Sequence, residues 1–139
     1  MRVVDASVAA KWFLPEHGTP AAQKLLSGRE RLIAPALIRL EVAAAIIRAF
    51  RENRMSETVA RDCCQAWDHL LGERMIQLVE NDELHESAVR IGFEIRHSVQ
   101  DCLYLAVGRA MKAPVLTADK TLAERGGKAV RLIGLGDGD

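Results

Sequence analysis

The stretch RVVDASVAAKW, residues 2–12, decides the fold, because a short apolar run ends in an acid and passes directly into helix-forming sequence. Residues 2–5 predict a short buried strand that ends at Asp5, and residues 6–13 predict one or two helical turns that Pro15 stops. In an open parallel α/β sheet, ligands bind beyond the carboxyl ends of the strands. The acid at this strand end is therefore the first candidate for a functional residue.

The alternation of strands and helices continues along the chain. Further strands are predicted at residues 32–34, 75–79, 115–117 and 130–133, and helices at residues 19–26, 36–51, 56–71, 81–96, 98–111 and 120–124. This order predicts an α/β protein in which helices cover both faces of a parallel sheet. We expect a single domain over residues 1–133 and a loose C-terminal tail over residues 134–139.

The composition is that of a packed globular protein, with 139 residues, 49% apolar residues and only 4% aromatic residues. The 19 basic and 19 acidic residues balance, so net charge neither favours nor excludes a nucleic-acid partner. No apolar run reaches the length of a membrane span, and no signal-peptide pattern opens the chain. The thiols of Cys63, Cys64 and Cys102 form no Cys-x-x-Cys pair, which predicts reduced cysteines and a cytoplasmic location.

Four acids far apart in the sequence stand at the ends or on the inward faces of predicted elements: Asp5, Glu41, Asp101 and Asp119. The first and the last follow predicted strands, Glu41 interrupts the apolar stripe of a helix, and Asp101 lies at the start of another helix. Acids at two strand ends, with two more on nearby helices, would form one negative pocket. Its natural occupant is a hard divalent cation such as Mg²⁺ or Mn²⁺, which prefers oxygen ligands.

Each acid also has a structural explanation when it is considered alone. Asp5 and Asp119 could cap the helices that follow them, and Asp101 could stabilise the dipole of its helix. Glu41 could form a salt bridge with an arginine of its own helix, since a buried Glu is rare unless it is paired. A single shared site explains all four positions at once, and we therefore prefer it.

The acids come with specific neighbours, in four blocks that stand in this order: VVDASVAAKW at residues 3–12, PALIRLEV at residues 35–42, HSVQDCLYLA at residues 97–106 and VLTADK at residues 115–120. Together these blocks resemble the PIN-domain ribonucleases, and most closely the VapC toxins of bacterial and archaeal toxin–antitoxin pairs. The resemblance covers nearly the whole chain. Any one block would be a weak signal, but four blocks in the same order and spacing are specific.

The resemblance implies a three-layer α/β/α sandwich around a short, mostly parallel, five-stranded sheet. It also implies a Mg²⁺- or Mn²⁺-dependent endoribonuclease that is usually a homodimer and is held inactive by a cognate antitoxin protein. The family's four acidic positions are matched by Asp5, Glu41, Asp101 and Asp119. Hydroxyl residues of the family are matched by Ser7, two places after the first acid, and by Thr117, before the last acid.

These residues suggest hydrolysis of an RNA phosphodiester by metal-activated water, which would leave a 5′-phosphate and a 3′-hydroxyl. We expect Asp5 and Asp101 to bind the metal directly. Glu41 and Asp119 could bind it directly or through water, since Mg²⁺ usually keeps several waters. Supporting hydrogen bonds from Ser7 and Thr117 would orient a ligand or a water.

Two other functions remain open on the sequence. A metal-dependent phosphomonoesterase of the aspartyl-nucleophile type would carry Asp-x-Asp after the first strand, and Ser7 stands in the second of those places. A non-catalytic module with the same fold would have no need of four intact acids. A dinucleotide-binding domain is disfavoured, because the turn after the first strand contains no glycine.

Several neighbours of the acids are assigned structural roles. We expect Lys11 to be a solvated surface residue, His97 to act in capping or loop packing, and Tyr104 to pack in the core. The helix at residues 36–51 and the residues after it carry four arginines: Arg39, Arg48, Arg51 and Arg54. These either form an exposed face, which we prefer, or line a path for RNA.

Overall fold

The computed structural model describes residues 1–14 and 19–132. Its strands are β1 (Arg2–Val4), β2 (Leu32–Pro35), β3 (Ile76–Val79), β4 (Val115–Thr117) and β5 (Val130–Leu132). Its α-helices are α1 (Ala6–Ala9), α2 (Thr19–Ser27), α3 (Ile38–Arg51), α4 (Glu57–Gly72), α5 (Asn81–Ile95), α6 (Val99–Met111) and α7 (Lys120–Gly126), with 3₁₀ turns at Ala10–Trp12 and Gly127–Ala129. Every predicted element is confirmed, while the predicted tail lies outside the described residues.

The five strands form one sheet in the order β3-β2-β1-β4-β5, and all four pairings are parallel. Val3 of the central strand faces Ile33 of β2 on one side and Val115 of β4 on the other. The chain builds outward from β1 in one direction through β2 and β3, and in the other through β4 and β5. Such a reversal opens a crevice at the carboxyl ends of the two central strands, which is where α/β proteins bind ligands.

Both faces of the sheet are covered, which confirms the three-layer α/β/α architecture. Val3 and Val4 point to opposite faces of β1, and neither side chain is exposed to solvent. On one face α6 lies so close to β4 that a Cβ atom on Gly108 would stand 2.9 Å from Val115 Cγ2 and 3.0 Å from the carbonyl oxygen of Ala113. The absence of a side chain at this position lets the helix that carries Asp101 pack directly against the sheet.

Two tryptophans fix the segment that follows β1. The indole Nε1 of Trp12 donates to the carbonyl oxygen of Ala22 in α2 at 2.7 Å, and that of Trp67 donates to the carbonyl oxygen of Arg39 in α3 at 3.0 Å. The two rings pack with their centroids 6.3 Å apart. Buried aromatic pairs with satisfied N–H groups are strong packing anchors. They hold α2, α3 and α4 around the 3₁₀ turn that carries Lys11.

Cys63, Cys64 and Cys102 are free thiols, as the sequence predicts. Within residues 1–14 and 19–132, no helix combines the length and the apolar character that a membrane span requires.

Candidate active site

Asp5 stands at the carboxyl end of β1, at the mouth of the crevice, and only 5% of it is exposed. It occupies the N-cap position of α1 without a side-chain capping hydrogen bond. Its Oδ2 atom instead accepts hydrogen bonds from Ser7 Oγ at 2.6 Å and from Thr117 Oγ1 at 2.8 Å. Burial raises the pKa of Asp5, the two hydroxyl groups oppose that rise, and the charge of Asp101 adds to it. Helix capping therefore does not explain this acid.

The two hydroxyl residues connect the ends of β1 and β4. Ser7 Oγ lies 3.2 Å from Thr117 Oγ1 and accepts a hydrogen bond from the backbone N–H of Ala118 at 3.0 Å. Thr117 Oγ1 likewise accepts from the backbone N–H of Asp119 at 3.0 Å. Each hydroxyl thus accepts one backbone proton and donates its own proton to the Asp5 carboxylate. The Asp5 side chain is thus held rigidly across the crevice.

Glu41 projects from the first turn of α3 and meets Tyr104 of α6, whose hydroxyl donates to Glu41 Oε1 at 2.6 Å. Burial raises the pKa of Glu41, the Tyr104 hydrogen bond opposes the rise, and the charges of Asp5 and Asp101 increase it. The pKa of the fully buried Tyr104 phenol is raised far above its ordinary value by burial and by the same three carboxylates. Asp5, Glu41 and Asp101 therefore lie close to Tyr104 and to one another.

Asp101 lies in the first turn of α6, where its charge is also favourable to the helix dipole. Its Oδ2 atom lies 2.6 Å from Nε2 of His97, a residue whose side chain is only 7% exposed. On the other side of the ring, Arg125 Nη1 lies 3.4 Å from His97 Nδ1 and donates to the carbonyl oxygen of Arg96 at 2.6 Å. The His97 imidazole therefore contacts Asp101 directly, and the Arg125 guanidinium contacts the opposite nitrogen of the same ring.

Asp119 differs from the other three acids because it caps a helix. Its Oδ1 atom accepts from the backbone N–H groups of Thr121 at 2.9 Å and Leu122 at 3.3 Å, at the start of α7. The structural explanation considered for this residue is therefore correct. Asp119 still reaches the crevice through its backbone N–H, which donates to Thr117 Oγ1.

The donors fit a hard divalent cation by their chemistry, since they are carboxylate oxygens with hydroxyl support. Burial raises the pKa values of Asp5 and Glu41, and neighbouring carboxylates add to the rise, so a bound cation would favour the ionised form of both acids. Across residues 1–14 and 19–132, no three His, Cys, Asp or Glu side chains already converge on one metal position. Each acid instead directs one oxygen to a protein donor or to an imidazole, so side-chain adjustment would accompany metal binding.

The model of the PIN domain family matches residues 2–128 of this chain. The chain belongs to the PIN domain family. Curated relatives of this PIN domain include Ribonuclease VapC9 of Mycobacterium tuberculosis, with 28% identity over 91% of each chain. Ribonuclease VapC3 of Pyrobaculum aerophilum is 25% identical over 88% of this chain and 92% of its own. A solved toxin–antitoxin complex from Klebsiella pneumoniae has the same fold, with a TM-score of 0.63, 15% identity, and coverage of 94% of this chain and 96% of that one.

One of the three neighbours assigned structural roles from sequence has a different environment, and the other two make contacts that the sequence did not predict. Lys11 is buried on the 3₁₀ turn Ala10–Trp12, with 5% exposure, so the prediction of a solvated lysine was wrong. The His97 side chain is packed in its loop with 7% exposure and also contacts Asp101. Tyr104 is buried in the core, as predicted, and also donates a hydrogen bond to Glu41. The spacing of His97 and Tyr104, four residues before and three residues after Asp101, is the signal that connects them to this acid.

Proposed function

We propose that this PIN domain is a divalent-metal-dependent endoribonuclease that acts as the toxin of a toxin–antitoxin pair. The observation that carries the proposal is the grouping of Asp5, Glu41 and Asp101 at the carboxyl end of the central strand, where burial raises the pKa values of Asp5 and Glu41 and neighbouring carboxylates add to that rise. Buried acids that shift each other's pKa in a crevice are typical of functional sites. The relatives named as VapC ribonucleases support RNA as the substrate.

The proposed roles follow from how each acid is held. Asp5 and Asp101 would bind the cation directly, and Glu41 and Asp119 directly or through water. A bound Mg²⁺ or Mn²⁺ would supply a Lewis acid that activates water and stabilises the leaving oxygen. Ser7 and Thr117 would fix the orientation of the Asp5 carboxylate through the hydrogen bonds described above.

The proposed reaction is hydrolysis of an RNA phosphodiester. The oxygen of water forms a bond to phosphorus, the bond from phosphorus to O3′ breaks, and O3′ takes up a proton. The products carry a 5′-phosphate and a 3′-hydroxyl. Because the 2′-hydroxyl does not attack, no cyclic phosphate is formed, and the chemistry of the new ends identifies the mechanism.

A cognate antitoxin, a second copy of the chain and a cytoplasmic location complete the proposal. The antitoxin is supported by the likeness of this chain to the solved toxin–antitoxin complex from Klebsiella pneumoniae. Large apolar side chains on the surface, such as Phe93 with 84% exposure and Leu40 with 68% exposure, are of the kind that protein interfaces cover. We further propose that residues 1–133 form a single domain.

The decisive experiment incubates purified protein with structured RNA in Mg²⁺ or Mn²⁺, beside the same reactions with EDTA. Asp101→Asn is the test variant, and Asp62→Asn, an exposed acid of α4, is the matched control. We expect metal-dependent cleavage that leaves 5′-phosphate ends, is lost in Asp101→Asn and is kept in Asp62→Asn. Cleavage that persists in EDTA, or ends in a cyclic phosphate, would contradict the mechanism.

The two alternatives give different results in the same preparation. A phosphomonoesterase would release phosphate from a small-molecule monoester and leave the RNA intact. A non-catalytic module would cut neither substrate and would show no stabilisation by Mn²⁺. The antitoxin must be removed before the assay, since a bound inhibitor would mimic the non-catalytic result.

A further inference from the structure

An open cleft of about 450 Å³ lies beside the acids and shares Ser7 and Asp119 with them. Ser7 is the residue whose hydroxyl holds Asp5, so the cleft opens at the same corner of the sheet as the candidate site. Its volume lies within the range of ordinary ligand pockets. The charged side chains of the cleft, however, are mainly positive, whereas those of the candidate active site are negative.

Three cationic side chains line this cleft: Lys11, Arg48 and Arg54. Asp119 is the one carboxylate among the lining residues that the structure describes. Lys11 comes from the 3₁₀ turn after α1, and only 5% of it is exposed. Arg48 comes from the last turn of α3, and Arg54 from the loop that follows. Positive charge from three separate segments of the fold thus meets in one place, directly beside a cluster of acids.

The backbone after α3 is shaped so that Arg54 turns back toward Arg48. Asn53 adopts a left-handed conformation with φ of 59°, which Asn tolerates better than most residues. The backbone N–H of Arg54 then donates to the carbonyl oxygen of Ala49 at 2.8 Å, closing the end of the helix. The reversal brings the two guanidinium groups to the same wall of the cleft.

Glu52 joins the two arginines without neutralising both. Its Oε1 atom accepts from Arg54 Nε at 3.1 Å and from Arg54 Nη2 at 2.8 Å, and its Oε2 atom lies 3.8 Å from Arg48 Nε. Exposed ion pairs of this kind contribute little to stability. A guanidinium carries five N–H donors, so its contact with Glu52 leaves other donors for an anion. Glu52 therefore orients the arginines along the cleft.

Two arginines elsewhere on α3 and on α4 are arranged differently. Arg39 pairs with Asp68 at 3.8 Å, and Arg61 pairs with Glu57 at 2.8 Å. Each of these two arginines pairs with a different acid, whereas Arg48 and Arg54 share Glu52, and neither Arg39 nor Arg61 lines the cleft. Arg39, Arg48, Arg51 and Arg54 are all exposed, which agrees with the preferred prediction from sequence. Arg48 and Arg54 also line the cleft, while Arg39 is paired with Asp68 of α4.

We propose that this cleft is a subsite for a backbone phosphate of single-stranded RNA, next to the phosphate that is cut. The subsite rests on the proposed ribonuclease function. An RNA strand approaching Asp5, Glu41 and Asp101 meets like charges, and neighbouring cations offset that repulsion. Contacts to phosphates position a strand without reading its bases. Lys11, Arg48 and Arg54 would therefore set the path of the strand into the site and leave sequence choice to other residues.

The test measures binding of a fluorescently labelled single-stranded RNA oligonucleotide by anisotropy, over a series of KCl concentrations and in EDTA. The Asp101→Asn protein serves as the background, so that cleavage does not interfere. Each phosphate contact to a single strand contributes about 0.7 to the slope of log affinity against log salt. We expect Arg48→Gln with Arg54→Gln to lower that slope by about 0.7 or more.

Arg39→Gln with Arg61→Gln is the matched control, because it removes the same number of charges from the same region. The control should keep the slope of the background protein. Equal slopes in the two double variants would overturn the subsite. Since Arg48 and Arg54 are exposed, thermal denaturation should show that both variants remain folded.

A second readout comes from cleavage kinetics of the two double arginine variants in the protein that keeps Asp101. These kinetics separate the subsite proposal from the ribonuclease proposal. Loss of a positioning contact should raise KM for RNA by about 10-fold or more and leave kcat nearly unchanged. If the parent protein cleaves RNA but Arg48→Gln with Arg54→Gln has the same KM and salt slope as Arg39→Gln with Arg61→Gln, only the subsite is contradicted. A retained slope effect in a protein that never cuts RNA would contradict only the nuclease.

Discussion

His97 Nε2 lies 2.6 Å from Asp101 Oδ2, and Arg125 Nη1 lies 3.4 Å from the opposite nitrogen of the same ring. A guanidinium can only donate, so this contact requires Nδ1 to be an acceptor. The remaining ring proton is then on Nε2 and points at Asp101. Arg125 thus selects the tautomer in which His97 holds the carboxylate, and His97 is a positioning residue for the proposed metal ligand.

Removal of this support should weaken metal binding. We expect His97→Ala to lower Mn²⁺ affinity and cleavage by about 10- to 100-fold, the usual effect of losing a group that orients a ligand. His97→Gln should restore part of the loss, because an amide can still donate to Asp101. Calorimetric titration with Mn²⁺ measures the affinity, with the exposed His85→Ala as control. Equal affinities for His97→Ala and His85→Ala would remove His97 from this role.

The Tyr104 hydroxyl should set the protonation of Glu41. Its hydrogen bond opposes the rise in the pKa of Glu41 that burial causes, so Tyr104→Phe should raise that pKa further. If ionised Glu41 is needed for activity, the acid limb of the pH–rate profile moves to higher pH. The lost hydrogen bond to a charged group should also cost about 1.5–3 kcal/mol of stability. An unchanged acid limb would separate Glu41 from the reaction.

The metal-free protein should become less stable as pH rises. The pKa values of Asp5 and Glu41 are raised in the fold above 3.8 and 4.5, so the folded state holds protons that the unfolded state has released. The contribution of these two acids to the free energy of unfolding is therefore fully present below their ordinary pKa values. It is lost as the pH rises through those values and then through the raised values of the folded state. Urea denaturation in EDTA between about pH 4 and about pH 8 measures this dependence.

Asp5→Asn tests which residue is responsible for that pH dependence. The variant removes the most buried of the acids while both hydroxyl neighbours can still form hydrogen bonds with the amide. We expect the metal-free variant to exceed the parent in stability at neutral pH by about 0.5–2 kcal/mol, as when a functional site is relieved of its charge. In the presence of Mn²⁺ the parent should be the more stable of the two proteins, because metal binding stabilises the parent and not the variant. A metal-free variant less stable than the parent would contradict this account.

Asp119 offers a way to separate helix capping from the proposed metal role. Asn caps helices about as well as Asp, so Asp119→Asn should keep the stability of α7, whereas Asp119→Ala should lose about 1 kcal/mol. If the charge of Asp119 also serves the metal, both variants should cleave RNA more slowly than the parent. Full activity of Asp119→Asn would restrict this residue to its capping role.

The local sequence predicts every strand and helix of the described chain, because hydrophobic periodicity, prolines and caps are short-range signals. Ser56 at the start of α4 is an example: it is predicted as a helix start, and its hydroxyl accepts from the backbone N–H of Val59. The grouping of Asp5, Glu41 and Asp101 is also anticipated from their positions at strand ends and helix faces. Their roles in binding and catalysis remain predictions.

The partners of these acids depend on the tertiary structure. Tyr104 and Glu41 are 63 positions apart, and their contact exists only because α6 and α3 are packed on the same sheet. Lys11 is buried in the folded chain, although the sequence of residues 6–13 leads to the expectation of a solvated side chain.

The sequence by itself determined the elements of this protein, its family and the acids that face the crevice, because these follow from periodicity and from residues placed at element ends. Only the tertiary structure decided which donor each acid meets, which lysine is buried and which arginines face the cleft. The physical reason is that a hydrogen bond or an ion pair depends on distances of a few ångströms. Those distances are set by the packing of helices on the sheet and not by neighbours in the chain.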